Sequence, residues 1–199
     1  MRLVLFLAVL AAALPLRAQA PADSGFEGVR FGETSDALLE RFGARATRLD
    51  RPLDFGDSYA DVVLRRYPLG GYPFIVYFQM DKTDHRLRRI QIERPRHGAV
   101  AMVHQATVAA LAQRYGTPTH VCAERVPRPG GQAIDERVWQ QGDVIVRLVF
   151  RERGLGVLLP RPLGVYDWEV WEPSLEGGLP QQLFVRIAPA GAEPGACGS

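Results

Sequence analysis

The chain has 199 residues with 24 Lys and Arg against 22 Asp and Glu, but Arg2 and Arg17 both fall within the first twenty residues, so the remainder balances 22 basic against 22 acidic groups. A balanced chain lacks the strong basic field that nucleic-acid binding requires. About 179 residues after that leader bury one substantial core, or two small ones packed together.

Residues 1–20 read as a cleaved secretory signal peptide. Arg2 supplies the basic start, Leu3 to Leu14 the apolar run, Pro15 a break, and Ala18-Gln19-Ala20 the small-x-small site. An apolar run of about 12 residues is too short for a stable transmembrane helix. No Cys follows it, so a lipid anchor is not expected, and no later stretch is long and apolar enough to span a membrane. The expected location is periplasmic or secreted, with the working protein beginning at Pro21. Lys82 stands alone against 23 arginines, a usage that suggests a GC-rich bacterial coding sequence. In an oxidising compartment the two cysteines, Cys122 and Cys197, are expected to pair. The bridge would close a loop of about 75 residues and contribute roughly 4 kcal/mol. The competing reading is a reactive thiol, because His120 and Cys122 would share one strand face.

Thr34 or Ser35 offers an N-cap and Asp36 a first-turn charge, after which Leu38, Leu39 and Phe42 recur at helical spacing up to Gly43. Alternating segments follow at 60–67, 74–80 and 87–94. Phe74, Val76, Phe78 and Met80 share one face, as in a strand half buried against a core. Gly70-Gly71 and residues 81–85 supply the turns. The order then restarts. Ala99 to Tyr115 reads as a helix with Val103, Thr107, Ala110, Leu111 and Tyr115 near one stripe, closed by Gly116 and Pro118. Strands follow at 119–125, 134–141 and 144–151, the last two joined by Gln141-Gly142-Asp143. Short strands are expected at 156–159, 165–171 and 183–188. The predicted class is α+β, with two tandem repeats of one helix packed on an antiparallel meander and extra C-terminal strands. The divisions are a leader over 1–20, a first repeat over 21–97, a second over 98–188, and a flexible tail over 189–199.

The opening Phe26-x-Gly28-Val29-x-Phe31-Gly32-x-Thr34, the helix end Phe42-Gly43 and the second helix end Tyr115-Gly116-Thr117-Pro118 resemble the repeat of the beta-lactamase-inhibitor-like fold. That fold includes the SmpA/OmlA outer-membrane assembly lipoproteins. The resemblance spans residues 26–151, and the chain departs from it in lacking a lipidated Cys and a Pro soon after Gly43. It implies a non-enzymatic module whose sheet face or loops grip another protein.

Candidate chemistry is sparse. Gly56-Asp57-Ser58 is similar to the nucleophile block of GDSL hydrolases, but the chain has no Asn for an oxyanion hole and no histidine after His120, so Ser58 reads as a loop residue. His85, His97, His104 and His120 lack metal-ligand spacing and read as exposed or capping residues, and no metal or cofactor is expected. Arg86, Arg88, Arg89, Arg94 and Arg96 form the densest positive stretch, suited to an anionic group, with Asp81, Asp84 and Glu93 close enough to neutralise it; the alternative is a solvated strand edge that charge protects from pairing. Trp139, Trp168 and Trp171 are the aromatic binding candidates, with core filling the alternative reading; Trp171, on the face opposite Trp168 with Asp167 and Glu169, is the one expected to be exposed. The expected function is therefore an exported binding or accessory protein engaging a protein or cell-envelope partner. Its rival is a hydrolase or small-ligand protein with a site between the repeats using Arg88, Arg94 or His120.

Overall fold

The computed structural model describes residues 23–94, 98–125, 132–153 and 181–192. In chain order these form β1 (Asp23–Phe26), β2 (Val29–Arg30), α1 (Ser35–Phe42), a 3-10 turn (Gly43–Arg45), β3 (Ala46–Asp54), β4 (Ser58–Leu69), β5 (Tyr72–Asp81) and β6 (Leu87–Glu93). Then come α2 (Ala101–Tyr115), β7 (His120–Arg125), β8 (Gln132–Gln141), β9 (Val144–Arg153) and β10 (Gln181–Pro189). Within these residues the fold is α+β and mostly sheet: β1 and β2 form a small antiparallel pair, and the other eight strands form one sheet in the order β3-β4-β5-β6-β10-β9-β8-β7. Every neighbouring pair in that sheet is antiparallel.

Local chemistry accounts for the helices. Thr34 Oγ1 accepts the Ala37 N–H at 3.3 Å, Asp36 lies in the first turn and Arg41 in the last, matching the helix dipole at both ends of α1. Gly43 closes α1 at φ 52° and Gly116 closes α2 at φ 79°, each donating its N–H back into the last turn. α2 begins two residues later than its apolar spacing predicts, and Val100 at its N-cap makes no side-chain hydrogen bond.

Both helices and the β1–β2 pair contact the same sheet face. From β1, Phe26 packs on Tyr67 and Phe78 with ring centroids 5.1 and 6.2 Å away, and Phe42 of α1 stacks on Phe78 at 5.4 Å. His104 of α2 stacks on Phe150 at 4.6 Å, and the Trp139 indole donates to the Gly116 carbonyl at 2.8 Å. Burial of these rings is the main stabilising term, each large apolar side chain contributing about 1.5–3 kcal/mol on removal from water.

Three features depart from the sequence reading. β1, β2 and β3 were not among the expected strands. β3 is an edge strand whose residues, such as Arg48, Asp50 and Arg51, are largely exposed, so it shows little apolar alternation. The expected C-terminal strand at 183–188 exists, but not as an appendage: β10 lies at the centre, pairing Val185 with Ile92 of β6 and with Leu148 of β9. It joins the two meanders into one continuous sheet over one apolar cluster. The strands expected at 156–159 and 165–171 lie outside the described residues.

Candidate binding surface

The sheet face opposite the helices is built by strand alternation. While Phe74, Val76, Phe78 and Met80 point into the core, the intervening Ile75, Tyr77 and Gln79 point the other way, opposite Glu93, Gln91 and Arg89 of β6. Continuing across the sheet, Gln91 pairs with Arg186 of β10, which pairs with Arg147 of β9. A polar belt results. Arg89 donates to Gln79 Oε1 and to Asp57, and reaches Ser58 Oγ at 2.9 Å. Gln79 Nε2 donates to Gln91 Oε1 at 3.3 Å, and Arg186 Nε donates to the same oxygen at 3.0 Å. Gln91 Nε2 passes the chain to Glu93 at 2.9 Å, and Arg147 closes on Glu136 at 3.1 Å. The Arg186 guanidinium lies 5.1 Å from the Phe184 ring centroid.

This belt is buried although it is polar, with Gln79 and Ser58 fully enclosed. Interlocking acceptors make that tolerable, because a buried donor without a partner costs about 1–3 kcal/mol. Burial, together with the charge of Glu93, pushes the Tyr77 phenol up to about 12. For Asp57, burial works to raise the carboxyl, but hydrogen bonds and charge from Arg89, aided by Ser58 and Arg88, outweigh it and hold the group below the usual carboxylate range. Ser58 donates to Asp57 and Gln79 and accepts from Arg89; Asp57, paired with Arg89 and held below the usual carboxylate range, is a weak base for activating it.

The sequence-derived candidates scatter. Trp139 faces the helices, is wholly buried and bonds the end of α2, so it is a core residue and not a contact surface. Trp168 and Trp171 lie outside the described residues. Arg86 is exposed at a turn, reaching the Gly32 carbonyl at 3.4 Å. Arg88 stands 3.5 Å from both Asp57 and Asp81, so part of the positive stretch is neutralised by acids. Arg94 turns back to the Pro73 and Gly98 carbonyls and lies over Tyr72 and Phe74. His120 begins edge strand β7, separated from β6 by β10, β9 and β8, so Arg88, Arg94 and His120 do not converge on one site. Ser58 is not a loop residue but opens β4 inside the belt. His104 is neither exposed nor capping, being buried beneath α2, and His85 bonds Tyr59 Oη at 3.0 Å. His97 lies outside the described residues. Cys122 is half-buried on β7, while Cys197 lies outside the described residues.

The belt itself escaped the sequence reading. Its signal was present in the alternation of Gln79, Arg89 and Gln91 with core residues, but alternation alone does not distinguish a solvated face from a bonded one. Among the described residues no group of three His, Cys, Asp or Glu side chains could hold a metal ion, and no helix is long and apolar enough to cross a membrane. No family model matches the chain, and no curated protein or solved structure matches it either.

Proposed function

We propose that this chain is an exported, non-enzymatic binding or accessory protein of the bacterial cell envelope that engages a protein or envelope partner through the sheet face opposite its helices. One observation carries this reading: among the described residues α1, α2 and the β1–β2 pair contact one face of the sheet, while the other carries the largely buried, internally bonded Arg89–Gln79–Gln91–Arg186 belt, rimmed by exposed Arg65 and Arg151 and half-buried Tyr77 and Phe184. The strand order supports reading the fold as two tandem helix-and-meander repeats. It runs inward from β3 to β6 on one side and from β7 to β9, then β10, on the other. The beta-lactamase-inhibitor-like resemblance of residues 26–151 agrees with that division and with a gripping role. Pairing of Cys122 with Cys197 after removal of residues 1–20 completes the proposal for the mature chain.

The test is capture from periplasmic extract by the mature protein and by an Arg65→Glu, Arg151→Glu variant. Both arginines are exposed residues of the belt face. A partner retained by the native protein and lost by the folded variant supports the reading; equal retention by both contradicts it. Intact-mass measurement of exported protein should begin at Pro21, and retention of Met1 would remove the envelope assignment. The rival reading, a hydrolase or small-ligand protein using Arg88, Arg94 or His120, would have to rest on one of them alone, since Arg88 is paired with acids, Arg94 with backbone carbonyls, and His120 lies on the far edge strand.

A further inference from the structure

The first turns of α2 are anchored differently from its last. At the C-terminal end Trp139 donates to the Gly116 carbonyl at 2.8 Å, Gln141 to the Tyr115 carbonyl at 3.1 Å, and Arg114 reaches the Gly25 carbonyl. At the N-terminal end Val100 supplies no side-chain cap, and Val100 and Met102 are 37% and 65% exposed. Ala99, Val103, His104 and Thr107 are the buried residues of that end, and His104 is the one that titrates. The imidazole is 7% exposed and lies flat on Phe150, with centroids 4.6 Å apart and an interplanar angle of 10°. Its Nε2 is buried without a hydrogen-bond partner, 3.7 Å from Asp135 Oδ2. Asp135 is already committed, its two oxygens accepting Arg137 Nε and Nη2 at 3.0 Å each.

We propose that His104 is an acid-sensitive latch: neutral, it holds the N-terminal half of α2 on the sheet, and a proton on its ring releases that half. A buried cation needs a counter-charge and hydrogen bonds; the charges acting on the ring are Asp135 and Arg137 of β8, which bond each other, and Glu152 follows Phe150 by two positions on β9, paired with Ala133. Phe150 of β9 brings none, Val121 and Ala123 of β7 stand opposite Arg137 and Asp135 without charge, and the ring's neighbours on α2, Val100, Val103, Thr107 and Val108, are uncharged. Burial lowers the His104 pKa most, Asp135 opposes it and Arg137 adds to it, and the net direction is down. A group whose folded pKa is lowered stabilises the fold above its unfolded value, about 6.5, and that contribution is lost as pH falls through the folded value. Release would bare Val103 and Phe150 beside the already exposed Val100 and Met102, creating an apolar patch in acid alone.

The experiment is amide hydrogen exchange on the full mature chain, corrected for intrinsic rates, comparing residues 101–108 with 109–115 from about pH 7.5 to about pH 5. Protection of 101–108 should fall severalfold while 109–115 changes little. His104→Phe keeps the ring stack and should make the profile flat, with His104→Gln as a second uncharged variant. A carbon chemical-shift titration reads the ring directly and does not depend on either variant folding. Protection that is constant or rises in acid, or an imidazole titrating at or above the ordinary histidine value, overturns the proposal by showing that Asp135 accepts the imidazolium.

Discussion

Gln79 is the hinge of the polar belt, since its carbonyl oxygen accepts from Arg89 while its amide donates to Gln91. Replacing it with leucine of similar size keeps the packing but strips acceptors from a buried guanidinium, so Gln79→Leu should cost about 1–3 kcal/mol, read as a lowered denaturation midpoint. An unchanged midpoint would mean that the belt is a solvated surface after all. Gly70 makes the complementary case on the helix side. Its φ is +59°, and an added Cβ would lie 2.7 Å from the Ala106 carbonyl oxygen in the middle of α2. Backbone strain and the clash act together, so Gly70→Ala should lose about 2 kcal/mol or more and loosen α2 against the β4–β5 turn. At this scale the sequence was legible wherever apolar alternation carried the information, as in Phe74, Val76, Phe78 and Met80. It was not legible where a single polar residue enters an apolar setting. His104 adjoins Val103 on the helix stripe, but nothing local says that its ring will meet Phe150, forty-six positions away.

Among the elements, α1 was the easiest to foresee, because its cap, first-turn acid and terminal glycine all act within ten residues. Thr34→Ala removes the side-chain acceptor for Ala37 N–H and should cost about 1 kcal/mol, measurable by thermal or denaturant unfolding. No loss would shift the capping role to Ser35, whose hydroxyl instead donates to Asp61 at 2.7 Å. β3 was obscured by its edge position. Arg48, which bonds Asp36 and Asp61, Pro52 and a register shift between Arg48 and Leu53 all protect it from further pairing while breaking the apolar pattern on which strand recognition depends. The central place of β10 was invisible for a different reason. Its own alternation marks Leu183, Val185 and Ile187 as a buried face, but pairing with β6 is a contact across roughly ninety residues that no local pattern encodes.

For the molecule as a whole, one antiparallel sheet among the described residues carries its helices on one side and the polar belt on the other, and the proposed binding role would use that asymmetry. The expected staple belongs to this scale too. Protein freshly exported and denatured without reductant should show no titratable thiol, and reduction should lower its melting temperature in keeping with roughly 4 kcal/mol of loop-closure stabilisation. Two titratable thiols would remove the Cys122–Cys197 pair and return His120 and Cys122 to consideration as a reactive couple. The central claim, that a partner lies against the belt face, is tested most directly by photo-crosslinking within the cell envelope. A photoreactive residue replaces Tyr77 on the belt face in one protein and exposed Gln113 on α2 in another. A discrete adduct from position 77 with none from position 113 is the predicted result; adducts from position 113 alone, or from neither position, would contradict it.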